Sequence, residues 1–309
     1  MGKPRVALIV NPAAGTHTVA DKAEAVERRL AQDAEVTTYV GQSASATRAL
    51  AREARMASDA VFTLGGDGIV HIVLQELAGG EIPLGVIAAG TGNDVADVLG
   101  ISRDPVLAAG ELLGGLSSGN VHRIDLGRTE DIDGTPPRWW ATVLCAGFDS
   151  AVNELANRMR WPRGPRRYDI GIAIEALRLK PRRYRLTLDG AHEELDATLI
   201  AVCNMPQYGG GKLIAPDASL DDGLFTVCIV GPVTRRTLAR LAPSLDVGGH
   251  VRHPAVQFRT ARVVRMEADR IAYADGERIG ALPVTAHCVS AALPVLVPPG
   301  ATVKGWDRH

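Results

Sequence analysis

Ala60-Val61-Phe62-Thr63-Leu64-Gly65-Gly66-Asp67-Gly68 and Leu84-Gly85-Val86-Ile87-Ala88-Ala89-Gly90-Thr91-Gly92-Asn93-Asp94 each join an apolar run to a glycine-rich loop that opens a helix-like stretch. Glycine lets the backbone approach a bulky anion, and the amides at the following helix N-terminus then point at negative oxygen. The two stretches predict a phosphate cradle and, with it, a bound nucleotide.

The same alternation extends outward from these loops. Arg5 to Val10 is a β-rich run closed by Asn11-Pro12, after which Val19, Ala23, Val26 and Leu30 repeat at helical spacing. Val36 to Val40 reads as the next strand, and Ala46, Leu50 and Ala54 share a face of the following helix. Ile69 to Ala78 is a further helix between the two glycine loops. This βαβα series predicts a mostly parallel sheet with helices on both faces. Ligands of such sheets sit beyond the carboxyl ends of the strands, where Asn11 to Gly15 and both glycine loops fall. Ile9, Val10, Leu64, Val86 and Ile87 are the expected core positions.

Beyond Gly114-Gly115-Leu116-Ser117-Ser118-Gly119, which reads as a linker, β-rich runs dominate. They are Trp139 to Ala146, Tyr184 to Leu188, Ala197 to Cys203, Leu224 to Val230, Ala261 to Met266, Arg270 to Ala274 and Val284 to Val289. Helical pattern is confined mainly to Ser150 to Arg160 and Tyr168 to Leu179. The expected fold class is α/β plus β in two domains. Residues 1–120 form a parallel-sheet α/β nucleotide-binding domain, to which 293–309 return; residues 121–292 form an antiparallel β-rich sandwich that takes the substrate.

Composition narrows the function classes. The 309 residues carry 34 Lys and Arg against 35 Asp and Glu, a net charge of −1, so no global field draws the chain to nucleic acid or membranes. The cysteines, Cys145, Cys203, Cys228 and Cys288, show no Cys-x-x-Cys spacing and read as buried thiols of a reducing compartment. The first apolar run is too short for a signal peptide and no later one spans a bilayer, so the chain is expected to be soluble and cytoplasmic. Gly115-Leu116-Ser117-Ser118-Gly119 fits the hydrolase elbow pattern but not its strand-to-helix context. P-loop, Rossmann dinucleotide and zincin signatures are absent, and the eight histidines show no metal-ligand spacing.

Asn11-Pro12-Ala13-Ala14-Gly15, Gly65-Gly66-Asp67-Gly68 and Pro83 to Asp94 resemble the successive motifs of the diacylglycerol kinase catalytic-domain family, which includes bacterial lipid kinases and sphingosine kinases. Gly209-Gly210-Gly211 with Pro216-Asp217-Ala218, Asp221-Asp222-Gly223-Leu224 and Asp275-Gly276-Glu277 resemble its C-terminal motifs, in the right order. Within the family, Trp161-Pro162-Arg163 and its basic surroundings look most like actinobacterial diacylglycerol kinases.

The resemblance implies an ATP- and magnesium-dependent lipid kinase. Phosphoryl transfer asks a protein mainly to position donor and acceptor and to neutralise charge. By the resemblance, Asn11, Pro12, Ala13, Ala14 and Gly15 sit beside ATP; Gly65, Gly66, Asp67, Gly68, Ile69, Val70 and His71 wrap its phosphates; Thr91 offers a hydroxyl. Asp67 acts on Mg2+ through water; the alternative for it is a turn aspartate capping a helix. A structural magnesium site is implied at the Asp222 carboxylate and the carbonyls of Ser219 and Leu224, where a plain hairpin turn is an equal reading. Glu277 is the candidate general base and Asp275 its runner-up; without the resemblance, this stretch is an ordinary solvated turn. Where the family continues its Gly-Gly-Asp-Gly motif with threonine, asparagine and glutamate, this chain has Ile69, His71 and Ile72, which removes one phosphate contact. Thr38 and Gln42 are open candidates near the nucleotide.

Between Arg158 and Arg185, ten arginines and lysines stand against Asp169 and Glu175, interleaved with Trp161, Tyr168 and Tyr184. Beside a lipid-kinase framework the stretch implies transient peripheral docking on anionic lipid at the inner face of the cell membrane, with nucleic acid and a solvated, ion-paired face as alternatives. Three functions stay open at this stage: diacylglycerol kinase, NAD kinase, and a nucleotide or lipid sensor without catalysis.

Overall fold

Strand β1 (Arg5–Val10) is buried along its whole length after Arg5, as expected of a central strand covered on both faces. The computed structural model describes residues 2–10, 17–130, 134–159, 161, 166–301 and 303. From β1 the chain runs α1 (His17–Ala31), β2 (Glu35–Val40), α2 (Ala44–Ala57), β3 (Ala60–Gly65), α3 (Asp67–Leu77), β4 (Leu84–Ala88), α4 (Asp94–Val98), α5 (Pro105–Ser118) and β5 (Val121–Thr129). There follow β6 (Trp139–Trp140), β7 (Val143–Gly147), α6 (Phe148–Arg158), α7 (Arg166–Leu177), β8 (Arg182–Leu188), β9 (Ala191–Ala197), β10 (Leu199–Cys203) and β11 (Phe225–Val230). The last elements are α8 (Arg235–Ser244), β12 (Val256–Ala261), β13 (Val263–Glu267), β14 (Ile271–Ala274), β15 (Glu277–Ala281) and β16 (Val284–Leu296).

The chain divides into two units. The first comprises Met1–Leu126, Leu220–Asp222 and Ser290–His309. Its strands pair in parallel in the order β2-β1-β3-β4, and Val295 of β16 pairs in parallel with Leu84. Because β1 lies between β2 and β3, the strand order reverses beside it, the topological switch at which such sheets bind ligands. Ile9, Val10, Leu64, Val86 and Ile87 are all buried.

Gly114 to Ser118 is not a linker but the last turn of α5. Asp104 accepts from the amides of Val106 and Leu107, Pro105 opens the helix, and Gly119 at φ 74° closes it. That is the usual arrangement of proline at the start and glycine at the end. Gly115 is inside the helix because a Cβ there would lie 3.0 Å from the Val297 carbonyl oxygen.

The second unit comprises Gly127–Ser219 and Gly223–Val289. One sheet has the antiparallel order β12-β11-β10-β7-β14-β15; in the other, β13 lies between the start of β16 and β8, and β9 follows β8. A core of Trp140, Leu144, Tyr184, Ile200, Phe225, Val264 and Met266 joins the two sheets, with Trp140 stacked on Phe225 at 5.0 Å between ring centres. Trp140 also lies over Gly127, where a Cβ would come 1.9 Å from the indole.

Three expected strands are interrupted: Ala197 to Cys203 breaks at Thr198, whose amide donates to the Val230 carbonyl at 2.7 Å, and the other two are each broken by an aspartate. The run Trp139 to Ala146 breaks at Ala141 and Thr142, whose amides donate to the Asp275 carboxylate at 2.9 and 2.8 Å. The run Ala261 to Met266 breaks at Arg262, where the Arg262 and Val263 amides donate to Asp189 at 3.0 and 2.8 Å. A side-chain acceptor competes with the ladder for the same amide. Cys145, Cys203 and Cys228 are buried, and burial pushes all three thiols up, which keeps them protonated.

Candidate active site

Val10, Leu64 and Ile87 stand in register across β1, β3 and β4, so the three strands end at nearly one level of the sheet. The Ala89 amide donates to the Gly65 carbonyl at 2.8 Å, and the two glycine loops then touch. A Cβ on Gly90 would lie 2.4 Å from the Gly66 Cα, so both positions require glycine for close approach. Asn93, at φ 61°, closes its own loop: its carboxamide accepts from the Gly90 amide at 2.9 Å and donates to the Gly90 carbonyl at 3.0 Å. Asp67 accepts from the Val95 amide at 3.2 Å, which ties the first residue of α3 to α4. No side chain caps α3 among the described residues, and the leading amides of a helix form its positive end.

The fold places the expected nucleotide residues unevenly. Gly65, Gly66, Asp67 and Gly68 lie together at the start of α3, and Thr91 is exposed at the tip of the second loop. Ile69, Val70 and His71 have buried side chains, so only their main chain is available to a phosphate. Ile69 faces inward because β3 has glycine beneath it: a Cβ on Gly65 would lie 2.8 Å from Ile69 Cγ2. Asn11, Pro12, Ala13, Ala14 and Gly15 lie outside the described residues. Thr38, on β2, has a buried hydroxyl without a hydrogen-bond partner among the described residues.

Three buried acids of this unit escaped the sequence reading, one of them Glu76 of α3 at 8% exposed. Asp94, the first residue of α4, is 4% exposed, and Asp125 in β5 is 1% exposed. Asp125 accepts from the Ala291 amide at 2.8 Å and its own amide donates to the Leu220 carbonyl at 2.7 Å, which holds the segment that leads to Asp222. Nothing in the pattern of β5 distinguishes this carboxylate from a surface one.

In the second unit, Asp275 and Glu277 flank Gly276 in the turn between β14 and β15. Asp275, at φ 51°, accepts from the Ala141 amide, the Thr142 amide and the Thr142 hydroxyl, the last at 2.7 Å. Its carboxylate is therefore engaged in holding the turn, whereas Glu277 is exposed. The hairpin is also pinned from α6. Tyr273 donates to Glu154 at 2.6 Å, and Arg278 pairs with the same carboxylate at 3.4 Å. Burial and then the Glu154 bond push the Tyr273 phenol up to about 12, so it remains a donor. Behind the hairpin, Ala151, Leu155, Ile271, Ala281, Arg158 and Arg178 line a cavity of about 350 Å3.

Ser219, Asp222 and Leu224 share an irregular loop before β11, turned by Gly223 at φ 73°. Asp222 is exposed and Ser219 buried. No group of three or more His, Cys, Asp or Glu side chains converges among the described residues. A metal held by side chains alone has no place there, whereas one carboxylate with main-chain carbonyls is an all-oxygen set suited to a hard cation.

The basic stretch resolves into paired and unpaired parts. Arg158 pairs with Glu154, Arg178 with Glu175, Arg183 with Glu194 and Asp196, and Arg185 with Glu194 and Glu267. Its strand portion is thus largely neutralised by β9 and β13. Arg160 and Arg163 lie outside the described residues. No helix of the described residues is long and apolar enough to cross a membrane.

Residues 5–129 match the diacylglycerol kinase catalytic domain, and residues 142–297 match the YegS C-terminal NAD kinase beta sandwich-like domain. A diacylglycerol kinase of Mycobacterium tuberculosis is 42% identical over 299 residues, which is 95% of both chains. The chain belongs to the diacylglycerol kinase family. A diacylglycerol kinase of Bacillus subtilis is 26% identical over 286 residues, 90% of this chain and 91% of that one. Two solved structures from Bacillus anthracis share the fold. One, described as a diacylglycerol kinase, gives a TM-score of 0.72 at 17% identity over 98% of this chain and 100% of that one. The other gives 0.80 at 19% identity over 98% of both. As a member of this family the chain is a lipid kinase, with ATP the phosphate donor that the family implies.

Proposed function

We propose that this kinase transfers the γ-phosphate of ATP to the free hydroxyl of diacylglycerol and releases phosphatidic acid and ADP. The observation that carries the reading is the pair of touching glycine loops at the carboxyl edge of β3 and β4 in a chain 42% identical to a diacylglycerol kinase. The amides of Gly66, Asp67 and Gly68 at the start of α3 supply donors for the phosphates, and the exposed Thr91 hydroxyl supplies another. Asp67, through the Val95 amide, and the Ala89 amide on the Gly65 carbonyl fix the two loops to each other, and Asn93 closes the second, so the cradle is formed before the ligand arrives.

Glu277 takes the proton of the acceptor hydroxyl as its oxygen bonds to the γ-phosphorus and the bond to the β-phosphate bridging oxygen breaks. Asp275 is a positioning residue, because its carboxylate is already occupied by Ala141 and Thr142. Bound Mg2+ would neutralise phosphate charge, with Asp67 as the nearby carboxylate of the cradle; a structural Mg2+ would be held by Asp222 with the carbonyls of Ser219 and Leu224. Docking of the kinase on anionic lipid at the cell membrane gives it access to an acceptor that does not leave the bilayer.

One specific observation favours a second reading: the match of residues 142–297 to a domain described as NAD kinase beta sandwich-like. Labelled γ-phosphate from ATP and magnesium, offered to diacylglycerol, a ceramide-like lipid and NAD in separate reactions, separates the two. Label in phosphatidic acid supports the proposal, and label in NADP overturns it. ATP binding without transfer to any acceptor returns the sensor reading.

A further inference from the structure

Helix α8 has no buried residue, carries three arginines and has no acidic side chain. Leu238 and Leu241, with Leu245 just past its end, are half-buried on one side, and Leu241 and Leu245 pack against a further core of the same unit that includes Val143, Cys203, Ile214 and Cys228. On the opposite side, Arg236, Arg240, Pro243 and Val247 recur at spacings of four, three and four, and all are exposed. Val247, in the 3-10 turn that continues α8, is 80% exposed.

The C-terminus of α7 is joined to this helix, because the Arg235 guanidinium donates to the Leu177 carbonyl. The large exposed hydrophobics of the second unit, among the described residues, are Trp161, Ile170, Ile172, Leu177, Val247 and Val251. All lie on or beside α7 and in the turns that follow α8. Arg166, Lys180, Arg235, Arg236, Arg240 and Arg252 are exposed on the same segments and form no ion pair among the described residues. Against them stand Asp169, Glu175, which pairs with Arg178, and Asp246, which pairs with Lys212.

We infer that the α7–α8 surface, with Arg236, Arg240 and Val247 at its centre, is the face that docks on an anionic bilayer. The inference deepens the lipid-kinase reading by moving the contact off the neutralised arginines of β8. Cations gain from the negative surface potential of the lipid, and exposed valine, isoleucine and leucine side chains gain by entering the boundary between headgroups and chains. A nucleic acid would use the arginines but has no use for Val247 and Leu177, whereas a bilayer uses both.

The test is sedimentation of the whole chain with vesicles of phosphatidylcholine containing 0 or about 30% phosphatidylglycerol, at physiological salt. The double variant Arg236→Gln with Arg240→Gln is compared with Arg183→Gln with Arg185→Gln, which removes the same charge from β8. At about fivefold per cation, the α8 pair lowers binding to anionic vesicles about twenty- to thirtyfold, and the β8 pair leaves it near wild type. Val247→Ser, at a site too exposed to affect folding, weakens binding to the same vesicles severalfold. Equal loss in both double variants, no effect of Val247→Ser, or binding to single-stranded DNA with none to vesicles overturns the inference. Because sedimentation needs neither nucleotide nor turnover, docking can stand while the diacylglycerol assignment fails, and the reverse.

Discussion

Asp275 accepts hydrogen bonds from both the amide and the hydroxyl of Thr142, at 2.8 and 2.7 Å. The bond pair separates β6 from β7 and fixes the turn that carries Glu277 at its far side. Asp275→Ala leaves the Ala141 and Thr142 amides without their acceptor and is expected to cost about 2 kcal/mol of stability as well as activity. Thr142→Val, which removes only the hydroxyl, costs about 1 kcal/mol. Denaturant unfolding alongside kcat measures both. An Asp275→Ala enzyme as stable as wild type and devoid of activity would instead make Asp275 the base.

The contact between the glycine loops has its own test. Gly90→Ala inserts a methyl 2.4 Å from the Gly66 Cα, so the loops must part. ATP affinity is expected to fall at least tenfold, with about 1–3 kcal/mol lost in stability from overpacking. Isothermal titration with ATP reads the affinity, and unchanged binding would remove the cradle from the nucleotide site.

Glu76, 8% exposed in α3, receives Arg52 at 3.0 and 3.2 Å and Arg48 from α2. Burial alone would raise its carboxyl, but Arg52 and Arg48 together hold it below the usual range. A lowered folded-state pKa adds stability that is present above the unfolded value, near 4.3, and is lost as pH falls through the folded value. Glu76→Gln is therefore expected to be less stable at pH 7, by about 2 kcal/mol, with the deficit shrinking below pH 4. Thermal unfolding at pH 7 and pH 3.5 measures the difference.

Asp149 has the opposite sign. Burial raises its carboxyl, against the opposing hydrogen bond from Tyr208, and the group lies beside the thiols of Cys145, Cys203 and Cys228. The stability contribution of a raised pKa is complete below the unfolded value, near 3.9, and is lost as pH rises through the folded value. Asp149→Asn keeps an acceptor for Tyr208 and carries no charge to bury. It is expected to unfold at a higher temperature than wild type at pH 7, with the gap closing toward pH 4. A variant less stable at both pH values would contradict this.

The parallel strands of the first unit were legible because a strand buried on both faces is a continuous apolar run, as in Ala60 to Leu64. The glycine loops were legible because close approach leaves no alternative residue. The strand breaks at Ala141 and Arg262 were not, since each depends on an aspartate distant in sequence, Asp275 or Asp189, capturing an amide. Helix α8 escaped because its leucines are only half-buried and its outer face carries arginine and valine together. The burial of Asp94 and Asp125 is set by tertiary packing and leaves no mark on local pattern.

The proposed function requires Glu277 to deprotonate a diacylglycerol hydroxyl for attack on the γ-phosphate of ATP. The most direct measurement is transfer of labelled phosphate into diacylglycerol mixed micelles by wild type and Glu277→Gln, with ATP affinity determined on the same samples. Phosphatidic acid is expected from the wild type, with a rate about 10²- to 10⁴-fold lower in the variant and equal ATP affinity in both. Undiminished transfer by Glu277→Gln would exclude Glu277 as the base.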